Sequence, residues 1–144
     1  MKSLSSKRAH TNGVVMKQNI LTTQFIDFCR SKLGELKTSL IHQIKTNSKD
    51  FVLVDKSRGD ESDLSLAHQE EHQFLITQAR LHSQLLEIEM ALARIENGSF
   101  GICEETEEII EEERLLAIPW TRLSLEGAEI RESMNKKLGK KRAF

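Results

Sequence analysis

Between Ala67 and Gly98 the chain reads AHQEEHQFLITQARLHSQLLEIEMALARIENG. Ala67, Phe74, Leu81, Ile88 and Ile95 follow one another at intervals of seven, and Leu85 and Leu92 fill the positions between them. An apolar residue every three or four positions puts one stripe on one side of an α-helix, the seam along which two helices pack. Asn97-Gly98 closes the pattern, with glycine where a helix C-terminus favours it. Glu71 and Gln78 occupy seam positions too, so the seam is well specified at the Ile95 end and poorly at the Asp60 end. At 1.5 Å per residue, such a helix is on the order of 50 Å long. That length describes a finger rather than a globule.

Upstream, Ile26, Cys29, Leu33, Leu36 and Leu40 recur at steps of three and four. They predict a helix of about 25 residues starting near Ile20, with one apolar side. Gly34 weakens it by roughly 1 kcal/mol relative to Ala without stopping it. Lys45-Thr46-Asn47-Ser48 gathers residues that compete for backbone hydrogen bonds, which predicts an end at Asn47. Two seamed helices joined by a loop at 48–59 fold most simply into an antiparallel hairpin. Residues 1–19 are polar and aperiodic and read as a mobile arm. The hairpin therefore covers 20–97, with its tip around 48–65. Residues 98–144 form a second, smaller unit. Phe100 and Ile102 open it, Pro119-Trp120 bends it, and Leu123, Leu125, Ile130, Met134 and Leu138 can line a last helix.

Composition agrees. Of 144 residues, 38% are hydrophobic, one is Pro, seven are Gly and none is Tyr, which is too little turn and strand chemistry for a sandwich or barrel. The fold class is mainly α. Lys plus Arg number 21 against 22 Asp plus Glu, so the chain as a whole offers no basic field for nucleic acid, and sequence-specific DNA binding is not expected. No run approaches the length of a membrane span, and Met1 to Met16 lacks the apolar core of a signal peptide. Cys29 and Cys103 are too few for a disulfide framework. These features predict a cytoplasmic monomer without membrane association.

Four features invite a chemical reading. His68-Gln-Glu-Glu71-His72 matches the H-x-x-E-H pattern of some zinc proteases, but no third ligand follows, and a hairpin is too narrow to wall a substrate. A solvated helix face is the simpler account. Cys29 lies on the first seam and reads as core packing. Seven Glu between Cys103 and Arg114, and the basic tail from Lys136 to Arg142, read first as solvated charge. Asp60-Glu-Ser-Asp63-Leu-Ser65 differs because of where it falls. Two Asp at the start of a long helix cap it and favour its dipole. Carboxylates at the tip of a finger are also placed to reach what the rest of the protein cannot.

These residues resemble the DksA/TraR family of RNA polymerase secondary-channel factors, over residues 20 to about 135. Family members pair a coiled-coil finger with a small zinc-finger globule. Their tip carries D-x-x-D-x-A, and Asp60, Asp63 and Ser65 match it with Ser for Ala. Arg94-Ile-Glu-Asn-Gly-Ser-Phe100-Gly-Ile-Cys103 resembles the family's passage into its first zinc cysteine, and Arg114-Leu-Leu-Ala117-Ile-Pro119 its R-L-x-A-x-P. The family's C-x2-C-x17-C-x2-C spacing falls here on Cys103, Thr106, Ser124 and Gly127. One thiolate with a hydroxyl or two does not make a tetrahedral zinc site, so no cofactor is expected. The globule should instead be held by Phe100, Ile102, Ile109, Leu115, Leu116, Trp120 and Leu123.

The resemblance implies a non-enzymatic regulator that binds RNA polymerase and acts through Asp60 and Asp63. A structural or adaptor coiled-coil protein that has lost polymerase regulation is the alternative. In members that respond to the alarmone ppGpp, basic residues of the factor contact its phosphates. The corresponding positions are Glu87, Ile118 and Ala128, with Arg80 as the retained cation, which implies little or no response.

Overall fold

The computed structural model describes residues 21–52 and 61–142. The arm at 1–19 lies outside them. Among the described residues are four helices: α1 (Thr23–Val52), α2 (Glu61–Asn97), α3 (Glu112–Ala117) and α4 (Leu125–Arg142). None is long and apolar enough to cross a membrane.

The two seams meet. Cys29, Leu33 and Leu40 of α1 are buried against Leu81, Ile88, Ala91 and Ile95 of α2, with Ile26, Leu36, Ile44, Leu85 and Leu92 packed around them. Ion pairs and polar contacts fix the direction. Arg30 reaches Glu96 at 3.9 Å and Lys37 reaches Glu89 at 3.5 Å, while Gln78 Nε2 donates to Ile44 O and Ser48 Oγ. Partners descend along α2 as they ascend along α1, so the hairpin is antiparallel. Burial of this stripe is what makes so long a pair of helices stable, since propensity alone leaves helices marginal in water.

Helix α1 begins where Thr22 Oγ1 accepts the N–H of Phe25 at 3.2 Å, an N-cap. It does not stop at Asn47 but runs to Val52. Tertiary contact overrides the local preference there. Gln78 bonds Ser48, and the Phe51 ring stacks on Phe74 with centroids 4.0 Å apart and planes 5° from parallel. Helix α2 ends as expected. Gly98 takes a φ of 75°, its N–H reaches Ile95 O, and Ser99 N–H reaches Arg94 O, the paired bonds of a Schellman cap.

Beyond that cap the chain makes a tight turn-rich hairpin. Ile110 N–H donates to Gly101 O and Cys103 N–H to Glu108 O, with Ile102 and Ile109 bridged across. Gly101 is required: its φ is 81°, and a Cβ there would collide with Leu21 Cδ1. Phe100, Cys103, Ile110 and Leu115 are buried in the same cluster as Cys29 and Ile95, so finger and globule share one core. Two expected members of that core are not in it. Ile102 and Leu116 are exposed, and Ile110 takes the inward position. The last helix differs more. Leu125, Met134 and Leu138 lie on the surface, and Gly127 is the buried residue of α4. Apolar spacing in that segment therefore does not mark a core face.

Candidate functional site

Two places carry the residues singled out from the sequence, the far end of the finger and the knuckle at its root. At the far end, Asp60 lies outside the described residues, directly before α2. Glu61 and Asp63 occupy the first turn of α2, where negative charge is favoured by the helix dipole. Asp63 and Ser65 are exposed, as are His68 and His72 further along. No group of three or more His, Cys, Asp or Glu side chains able to hold a metal occurs among the described residues. The H-x-x-E-H stretch is a helix surface.

The knuckle brings its residues together. Ser124 Oγ lies 3.4 Å from Cys103 Sγ and donates to it, and Gly127 N–H donates to Ser124 Oγ at 3.0 Å. Thr106 also bonds Cys103, and its Oγ1 accepts the N–H of Glu108 at 3.4 Å. A Cβ built on Gly127 would collide with Cys103 Sγ, so the sulfur fills the space from which a fourth ligand would extend. Thus the positions of a four-ligand site converge, but they supply one thiol, two hydroxyls and a bare Cα. That donor set does not fit tetrahedral zinc, whose sulfur ligands stand about 2.3 Å from the metal. The arrangement is a small hydrogen-bonded core. Burial works to raise the Cys103 thiol pKa, yet the Ser124 and Thr106 hydroxyls and amides outweigh it and bring the value down to about 6. Cys29, in contrast, is raised by burial and stays a packed thiol.

Around the knuckle runs a set of arginines, of which Arg122 and Arg131 carry no local signal in the sequence. Arg122 sits 3.3 Å from Glu87 of α2 and 3.7 Å from Glu104. Arg131 of α4 reaches Glu105 at 2.6 Å and Glu104 at 3.5 Å. Arg94 donates to Trp120 O, Arg114 to Leu123 O and Lys32 to Leu116 O. Glu104 and Glu105 are thus paired side chains of a loop and not part of an open acidic face. Their signal in the sequence was alternation of sign across distance, which no local pattern exposes. Of the positions that the resemblance relates to the alarmone, Glu87 is held by Arg122, Ile118 caps α3 with its N–H on Arg114 O, and Ala128 lies in the first turn of α4. Arg80 is exposed on α2.

Comparison with known proteins follows the same division. Residues 98–133 match the prokaryotic dksA/traR C4-type zinc finger. An uncharacterized protein of Aquifex aeolicus is 31% identical over 116 residues, which is 76% of this chain and 77% of that protein. The RNA polymerase-binding transcription factor DksA of Caulobacter vibrioides is 28% identical over 107 residues, 74% of this chain and 75% of its own. Among solved structures, transcription factor DksA2 from Pseudomonas aeruginosa superposes with a TM-score of 0.73 at 27% identity, over 81% of this chain and 90% of that one.

Proposed function

The chain belongs to the DksA/TraR family, and from that premise we propose that it is a non-enzymatic, cytoplasmic transcription regulator that binds RNA polymerase through its finger. In this reading the hairpin at 20–97 enters the secondary channel, and Asp60, Asp63 and Ser65 at its tip alter the stability of initiation complexes. The globule at 98–144 seats the finger. The observation that carries the reading is the finger itself: α2 is 37 residues long, rooted in one core with the knuckle, and acidic in its first turn at the other end. A pair of helices that long and narrow suits a deep channel.

The knuckle supports a metal-independent form of this activity. With Gly127 packed on the Cys103 sulfur and Ser124 bonded to it, the globule is held without zinc. Response to ppGpp is absent or weak in the same reading. A polyanion calls for unpaired cations, and Glu87 places a carboxylate, already paired with Arg122, where the family places charge for phosphate.

The test is the double substitution Asp60→Asn and Asp63→Asn. Asn caps a helix about as well as Asp, so stability should hardly change while two charges are removed. The expected result is retained polymerase binding with loss of the effect on transcription. Retained regulation with intact binding would assign the tip a capping role only, and absence of binding by the unaltered protein would favour the adaptor alternative. Transcription from an rRNA-type promoter, with a polymerase stripped of its own alarmone site, should be equal with and without ppGpp. A several-fold alarmone-dependent gain would refute that part.

A further inference from the structure

A C4-type finger uses its metal to tie two segments together, the loop after the first cysteine and the turn that opens the last helix. Here those segments are 103–106 and 124–127. Hydrogen bonds among Cys103, Ser124 and Gly127 join them, Glu104 N–H donates to Arg122 O at 3.0 Å beside them, and α4 itself adds only the half-buried Ala128 and Ile130. Gly127 is its buried residue, and Leu125, Met134 and Leu138 are each more than half exposed.

What spans the same gap is charge. Arg131, one turn beyond Gly127, donates Nε to Glu105 Oε1 at 2.8 Å. Its Nη2 lies 2.6 Å from that oxygen and 3.5 Å from Glu104 Oε2. Glu104 Oε2 is shared with Arg122 Nη1 at 3.7 Å, and Arg122 Nη2 continues to Glu87 Oε1 on the finger at 3.3 Å. Three carboxylates and two guanidiniums thus form one connected chain from α4 through the knuckle loop to α2.

We propose that the Glu104/Glu105–Arg131 clasp replaces the metal as the cross-link between the two knuckle segments, and that its extension through Arg122 to Glu87 fixes α4 relative to the finger. A single exposed ion pair contributes little, but an arginine fork shared between neighbouring carboxylates in a network contributes more. The side chains of Arg131 and Glu105 are only 35% and 23% exposed, so water competes in part. Such a clasp differs from a metal in one measurable respect. Its strength falls with ionic strength, because at 1 M salt the screening length shrinks to about 3 Å, whereas a thiolate–metal bond is indifferent to salt and sensitive to chelator.

The experiment is hydrogen exchange on the full chain, comparing amides 128–136 of α4 with amides 81–95 of α2. Raising salt from about 50 mM to 1 M should speed exchange in α4 by roughly tenfold and leave α2 unchanged. Arg131→Gln should reproduce that acceleration at low salt and abolish the further response to salt. The charge exchange Glu105→Arg with Arg131→Glu should restore protection at low salt. EDTA should do nothing to the wild type. Exchange in α4 that ignores both salt and Arg131→Gln, or that accelerates with EDTA, would overturn the proposal. If the variants fail to fold, the salt and chelator arms on the unaltered protein decide it alone.

Discussion

Cys103 is the residue on which the globule turns. Its sulfur packs on Gly127 and accepts from Ser124; burial works to raise its pKa, but the hydroxyls and amides of Ser124 and Thr106 outweigh that and bring it to about 6. The folded value lies below the ordinary thiol value of 9.0, so the folded protein binds fewer protons than the unfolded chain between those limits. Stability from this group is therefore complete above pH 9 and is lost as pH falls through about 6. Denaturant unfolding from pH 5.5 to 9 should show this rise in the wild type and lose it in Cys103→Ala. A parallel slope in both proteins would contradict the assignment. Gly101 offers a second test at this scale. Its positive φ and the collision of any Cβ with Leu21 predict that Gly101→Ala costs roughly 2 kcal/mol. The convergence of Cys103, Thr106, Ser124 and Gly127 is implied only by the resemblance to the family's four-cysteine pattern. The hydrogen bonds that join them were not legible in the sequence, because they depend on a turn geometry that no residue pattern encodes locally.

The helices show where sequence reading holds and where it fails. Both seams were legible because burial enforces a strict repeat: Leu33, Leu81 and Ile88 had no freedom to be polar. Local preference at Asn47 and Ser48 predicts an end to α1 there, whereas Phe51 stacking on Phe74 and Gln78 bonding Ser48 supply contacts across the hairpin that carry it to Val52. Phe51→Ala should remove about 1 kcal/mol of ring contact and speed amide exchange in residues 45–52 while leaving 81–95 protected. Gly34 behaves in the opposite sense to Gly101. No atom lies within 4 Å of a Cβ built there, and its φ is not in the positive range, so Gly34→Ala should raise stability by up to about 1 kcal/mol in thermal unfolding. For α4 the apolar spacing predicts the helix that is there, with Ile130 half-buried and Met134 and Leu138 exposed, since an apolar repeat says nothing of whether a partner exists to cover it. Its start is held by Gly127 on Ser124 and Cys103, and one turn on Arg131 finds Glu105 across 26 positions of sequence.

At the scale of the molecule, one apolar core runs from the root of the finger into the knuckle, and the finger extends from it with a sparser seam. That arrangement makes the globule the mount of the finger and, in the proposed function, leaves the far end to act. Because the mount is built from packing, hydrogen bonds and ion pairs, purified protein should carry well under one zinc per chain, and chelator should leave its melting temperature unchanged. Stoichiometric zinc, or melting shifted by EDTA, would contradict this. A finger that serves a polymerase competes for it with other members of the family. A fluorescent zinc-bearing member of the family is bound to RNA polymerase, and the unlabelled protein is titrated in. Full, saturable displacement is expected, and to the same extent with the double substitution Asp60→Asn and Asp63→Asn. No displacement at a large excess would contradict the proposed function.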